Sequence, residues 1–142
     1  MKRLLSVFWL FSVLFAFQAS AQVPIQADLI TQKEGVLPAG ELLVALKLNI
    51  PEGWHVYWKN AGDAGEATEL TLTLPDGFAA GERLWTVPEK FSIGPLTEYG
   101  YHGQAYFPIK ITAPEWLKTG EILQLKAKAT WLACKDECVP MQ

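Results

Sequence analysis

Apolar and polar residues alternate along much of this chain with the two-residue period of β-strands. Over residues 41–50, Leu42, Val44, Leu46, Leu48 and Ile50 share one face, while Lys47 and Asn49 point the other way. Leu70, Leu72 and Leu74 alternate with Thr71 and Thr73, and Ala105, Phe107, Ile109 and Ile111 alternate with Tyr106, Pro108 and Lys110. Leu123, Leu125, Ala127, Ala129 and Trp131 alternate with Gln124, Lys126, Lys128 and Thr130. One apolar and one polar face predicts antiparallel strands packed on a core from one side. Residues 25–31 and 54–58 predict two further strands. Turn signals separate these runs, among them Pro51-Glu52-Gly53, residues 60–65, Pro75-Asp76-Gly77 and Lys118-Thr119-Gly120. No stretch has helical periodicity. Seven or so short strands at this spacing predict an all-β, immunoglobulin-like antiparallel β-sandwich. Pro108 cannot donate to a ladder and is expected at an edge or a bulge.

Residues 87–103 break the alternation. They mix glycine, proline and aromatic residues, among them Phe91, Tyr99 and Tyr101, and predict a long irregular loop. Such loops serve as lids over a site or only seal a core.

The amino terminus has a different pattern. Lys2 and Arg3 precede an apolar run from Leu4 to Phe17, and Ala19-Ser20-Ala21 follows as a small-x-small site. This predicts a signal peptide over residues 1–21 and one domain over residues 22–142. Removing the leader takes the formal net charge from −3 to about −5. A mildly acidic exported domain without a basic patch is not expected to bind nucleic acid. Export also places the cysteines where a disulfide persists.

There are two cysteines, Cys134 and Cys138, at the end of the last alternating run. If the chain turns through Lys135-Asp136-Glu137, a three-residue hairpin loop sets them opposite each other, at a Cα separation of roughly 4.5–5.5 Å that a disulfide accepts. Closing about five residues is worth roughly 2 kcal/mol in the loop-entropy model, against about 4.7 for a loop of 100. So local a bridge is a weak staple, which favours a reversible redox role. A plain structural disulfide and a metal site stay open. Cys134 and Cys138 with His55 and His102 would make a Cys₂His₂ set for zinc or a thiolate start for copper, although the histidines lack zinc-motif spacing. Lys135 favours a thiolate, and Asp136 and Glu137 oppose it, so a sluggish dithiol is expected. No cofactor is expected.

Three ordered blocks carry a resemblance. Gly53-Trp54-His55-Val56-Tyr57-Trp58-Lys59-Asn60 with Gly62-Asp63-Ala64-Gly65 comes first. Tyr99-Gly100-Tyr101 with Gly103 and Phe107-Pro108 follows, and then Trp131-Leu132-Ala133-Cys134 with Cys138-Val139-Pro140. Together they resemble the exported N-terminal domain of DsbD/ScsB-type thiol:disulfide interchange proteins. The resemblance implies an immunoglobulin-like sandwich whose pair, here Cys134 and Cys138, cycles between dithiol and disulfide. It implies electrons arriving through a membrane-embedded electron-transfer domain and a thioredoxin-like domain, and leaving to thioredoxin-like periplasmic proteins. It also implies a cap over the pair, here Phe91, Tyr99 and Tyr101. The spacing of three residues between the cysteines resembles the ScsB branch. The family has at least one strand beyond the point where this chain ends, so the sandwich is expected to lack its last strand or strands.

Overall fold

The computed structural model describes residues 25–142; the expected signal peptide over residues 1–21 lies outside them. The described residues form an immunoglobulin-like antiparallel β-sandwich of ten strands: β1 (Gln26–Thr31), β2 (Glu41–Asn49), β3 (Val56–Gly62), β4 (Glu69–Thr73), β5 (Ala79–Arg83), β6 (Glu89–Ile93), β7 (Leu96–Tyr101), β8 (Gln104–Thr112), β9 (Lys126–Cys134) and β10 (Cys138–Met141). One layer is a four-stranded sheet in the order β1-β2-β8-β5. Opposite it lie β10-β9-β4 and β3-β7-β6. Every paired strand is antiparallel to its neighbour.

The alternating runs pack as their pattern predicts. Leu42, Val44, Leu46 and Leu48 of β2 are buried beside Ala105, Phe107, Ile109 and Ile111 of β8, in register from Glu41↔Thr112 to Asn49↔Gln104. Val56, Leu70, Tyr101, Trp131 and Ala133 meet them from the opposite layer. Apolar burial of this kind is the main favourable term in folding, at roughly 25 cal/mol per Å².

Two expectations change, and that for Pro108 narrows to one of its two alternatives. The irregular loop expected at residues 87–103 contains a hairpin, β6 and β7, paired from Glu89↔Gly100 to Ile93↔Leu96. Pro108 is not at an edge, because β8 lies between β2 and β5. It faces a bulge instead: the β5 register shifts between Ala80 and Arg83, and the Leu84 N–H donates to the Pro108 carbonyl at 2.8 Å. A residue's N–H and C=O point to the same flank of an antiparallel strand, so the missing donor faces the irregular side. The last long strand starts at Lys126 rather than Leu123, and ends at Cys134.

A second set of contacts ties the layer opposite β1-β2-β8-β5 together. His55, just before β3, exchanges both backbone hydrogen bonds with Cys134 at the end of β9, at 2.9 and 3.0 Å. The two smaller sheets therefore run on as one surface, β6-β7-β3 into β9-β10.

Candidate functional site

β9 and β10 form the hairpin expected around the cysteines. Cys138 pairs with Cys134 and Met141 with Trp131; the Lys135 N–H donates to the Glu137 carbonyl across the turn at 3.1 Å. Pro140 is tolerated because β10 is an edge strand. Cys134 spends its backbone N–H and C=O on His55, which leaves Cys134 and Cys138 as a non-hydrogen-bonded pair, the closer kind in an antiparallel ladder. Their Cα atoms are 4.1 Å apart and the sulfurs are joined in a disulfide. Exposure is unequal: Cys134 is 2% exposed, while Cys138 is open to solvent.

Parity identifies which face carries the pair. Trp131 and Ala133 belong to the sandwich core, so Cys134, one step further along an alternating strand, points to the opposite, outer face. On β3, Val56 is in the core, so His55 and Tyr57 point outward. On β7 the core residue is Tyr101, and Glu98 and Gly100 point outward. Phe91 pairs with Glu98 and shares that face. Val56 pairs with Tyr101; one step on, His55 meets His102, whose ring centroid lies 5.7 Å away. His102, His55, Cys134 and Cys138 therefore form one row across the outer face.

The outer face of a sandwich normally meets water, yet around His55 and Glu98 it is covered. His55 is 3% exposed and Glu98 2%. Phe91 packs against both imidazoles at 4.8 Å between centroids. His55 Nε2 lies 3.1 Å from the Tyr57 hydroxyl and 3.5 Å from Glu98 Oε2. His102 Nδ1 meets Glu89 Oε2 at 3.0 Å. Burial, with His102 alongside, pushes the His55 imidazolium down to about 4, so the ring is neutral at neutral pH despite the carboxyl group beside it. Burial first, then the charge and hydrogen bond of Glu98, raise the Tyr57 phenol.

Glycines make this packing possible. Gly65, at φ +93°, sits against the Tyr57 ring where a side chain would collide with it. Gly100 has no positive φ, but a Cβ there would strike the Val56 carbonyl of β3. Asp63 completes the join: its Oδ2 accepts from the Thr97 N–H at 2.7 Å, and its own N–H donates to the Thr97 carbonyl at 2.9 Å. The glycines and Asp63 of the first two sequence blocks thus hold β3 and β7 together beneath the covered patch.

The expected site residues divide. Cys134 and Cys138 are joined, and Phe91 lies two side chains away, over His55. Tyr99 and Tyr101 face the other side of β7: Tyr99 packs near Trp58 at 6.4 Å, and Tyr101 packs on Phe107 with its hydroxyl donating to the Thr86 carbonyl at 2.9 Å. The four residues of the metal alternative do come together, but in a row across neighbouring strands rather than around a centre. Among the described residues, no three His, Cys, Asp or Glu side chains form a group able to hold a metal ion. Sequence reasoning missed Glu98 and the partnership of His55 with Cys134. The only signal for either was the period-2 spacing of His55 and Tyr57, since no local pattern reveals a pairing across some eighty residues.

Comparison with known proteins agrees with this geometry. The family model described as thiol:disulfide interchange protein DsbD, N-terminal, matches residues 20–142. The crystal structure of the N-terminal periplasmic domain of ScsB from Proteus mirabilis superposes with a TM-score of 0.56 at 21% sequence identity, covering 82% of this chain and 41% of that one. This chain thus spans under half the length of that structure, and the likeness is one of fold. No curated protein sequence matches it.

Proposed function

The chain belongs to the family of N-terminal domains of the thiol:disulfide interchange protein DsbD, and from that premise we propose that it relays electrons by thiol–disulfide exchange through Cys134 and Cys138. The donor is a membrane-embedded reductase of the same family, and the acceptors are thioredoxin-like proteins of the periplasm. Joined to those membrane and thioredoxin-like parts, the domain acts in a protein-disulfide reductase. The similar domain from Proteus mirabilis is periplasmic, and the leader expected over residues 1–21 supports the same location.

The observation that carries this reading is a bridge confined to one hairpin tip, with one cysteine exposed and one buried. A partner thiolate attacks Sγ of the exposed residue Cys138. The Cys134–Cys138 bond breaks, its electron pair goes to Cys134 Sγ, and the partner is held on Cys138 as a mixed disulfide. The partner's second thiolate then attacks its own bridged sulfur and expels Cys138. The partner leaves as a disulfide, and this domain gains two electrons. Delivery to an acceptor runs the same steps in reverse.

The test is trapping. The Cys134→Ala variant keeps the exposed cysteine and is expected to accumulate a mixed disulfide with a thioredoxin-like partner. Cys138→Ala keeps only the buried cysteine and is expected to trap at least ~10-fold less, since exchange depends on access to the sulfur. If neither variant captures such a partner, the relay reading fails.

A further inference from the structure

The row His102–His55–Cys134–Cys138 sets a buried imidazole opposite the buried Cys134 in the ladder. We propose that His55 is the proton-exchange partner of Cys134, taking up a proton when the disulfide opens and giving it back when the disulfide re-forms. This rests on the reading of the pair as redox-active and adds a residue to it.

Opposed residues in an antiparallel ladder project to the same face with Cβ atoms about 5 Å apart. The two-way backbone bond between His55 and Cys134 makes that register unambiguous. Opening the bridge leaves an anion on Cys134, which is 2% exposed, and an unpaired charge so placed is costly. Water has little access, Phe91 packs over the imidazole, and the end of the exposed Lys135 side chain lies along Gly53. His55 is the buried basic side chain paired with Cys134 across the ladder.

The surroundings suit a ring whose charge follows the redox state. Tyr57 from its own strand and Glu98 from β7 lie at its Nε2. His102 from the turn after β7, bound in turn to Glu89 of β6, stands on its other flank. Beside a neutral disulfide, burial and His102 keep the ring uncharged. A thiolate opposite reverses the balance, because an opposite charge within a few ångströms favours the charged form. Glu98 Oε2, buried with no hydrogen-bond partner, is ready to meet an imidazolium. Glu98, His55 and Cys134 then follow the orienter–base–sulfur order of activated cysteines.

The step balances. The partner dithiol supplies two electrons and two protons. One proton comes to the His55–Cys134 couple and the other to Cys138, so the reduced domain holds two more electrons and two more protons than the oxidised one.

Histidine titration by NMR, on the intact protein in both redox states, tests this directly. The His55 midpoint is expected to rise by at least one pH unit on reduction by dithiothreitol, with His102→Gln used to assign the signals. The second measurement is the rate of reduction by dithiothreitol from pH 5 to 8 in wild type and in His55→Phe, which keeps the ring packing but not the proton site. The variant is expected to be at least ~10-fold slower at the acid end, below the ~10²–10⁴ typical of positioned acid–base groups because a thiolate leaves readily. A His55 midpoint that is the same in both states, or an unchanged rate profile in His55→Phe, overturns the inference and leaves the redox reading standing. A wild-type disulfide that resists dithiothreitol overturns both.

Discussion

His55, Tyr57 and Glu98 are polar side chains buried on the side of a sheet that a sandwich ordinarily leaves to water, and their protonation is therefore tied to folding. Folded His55 titrates near 4, whereas an unfolded histidine titrates near 6.5. As pH falls through that window the unfolded chain binds the proton first. The stability contributed by keeping the ring neutral is thus complete above about pH 6.5 and is lost progressively down to about pH 4, with a total of roughly 3 kcal/mol. Urea unfolding of the oxidised protein at pH 7, 5.5 and 4 is expected to show this decline. His55→Gln, which cannot titrate, is expected to flatten it by most of that amount; an equal slope in the variant would place the acid sensitivity elsewhere.

At the scale of elements, the β9–β10 hairpin is held by its ladder as well as by its bridge. Replacing both cysteines with serine is expected to cost about 2 kcal/mol or less, the closure entropy of a very short loop, measured as a shift in denaturant midpoint with an unchanged slope. A loss of 4–5 kcal/mol would mean that the bridge is a staple. The β6–β7 hairpin explains why residues 87–103 do not read as strands. Alternation requires one wet face, and here Tyr99 and Tyr101 fill the core side while Phe91 and Glu98 are covered on the other. A strand covered on both faces loses its period-2 signature. The entry to β3 shows the same effect, with His55 just before the strand and Val56 and Tyr57 within it buried in succession.

Across the whole molecule, Arg83 closes the sandwich at one side. From the end of β5 its guanidinium donates to the Thr68 carbonyl, to the Leu70 carbonyl at 3.1 Å and to Glu69 Oε2 at 3.2 Å, tying one layer to β4 of the other. Its face lies over Trp85, 5.1 Å from the ring centroid. Arg83→Ala removes charge-assisted bonds and leaves half-buried carbonyls unpaired, with an expected cost of about 3 kcal/mol in urea unfolding. Because Arg83 takes no part in the row at the cysteines, reduction of the disulfide by dithiothreitol is expected to keep its wild-type rate in this variant.

The fold class, the central strands β2 and β8, and the cysteine hairpin were all legible in the amino-acid order, since each depends on neighbours within one strand or across one short turn. Leu42 to Ile50 and Ala105 to Ile111 alternate because one side packs and the other does not, and Cys134 and Cys138 face each other because three residues make a turn. The surroundings of the pair had to wait for the folded chain. His55 meets Cys134 through a ladder contact between segments far apart in sequence, and Phe91 and Glu98 arrive on strands without alternation. The cysteines and their bridge are local properties of the chain; the buried imidazole opposite the inner cysteine exists only once β3, β7 and β9 lie side by side.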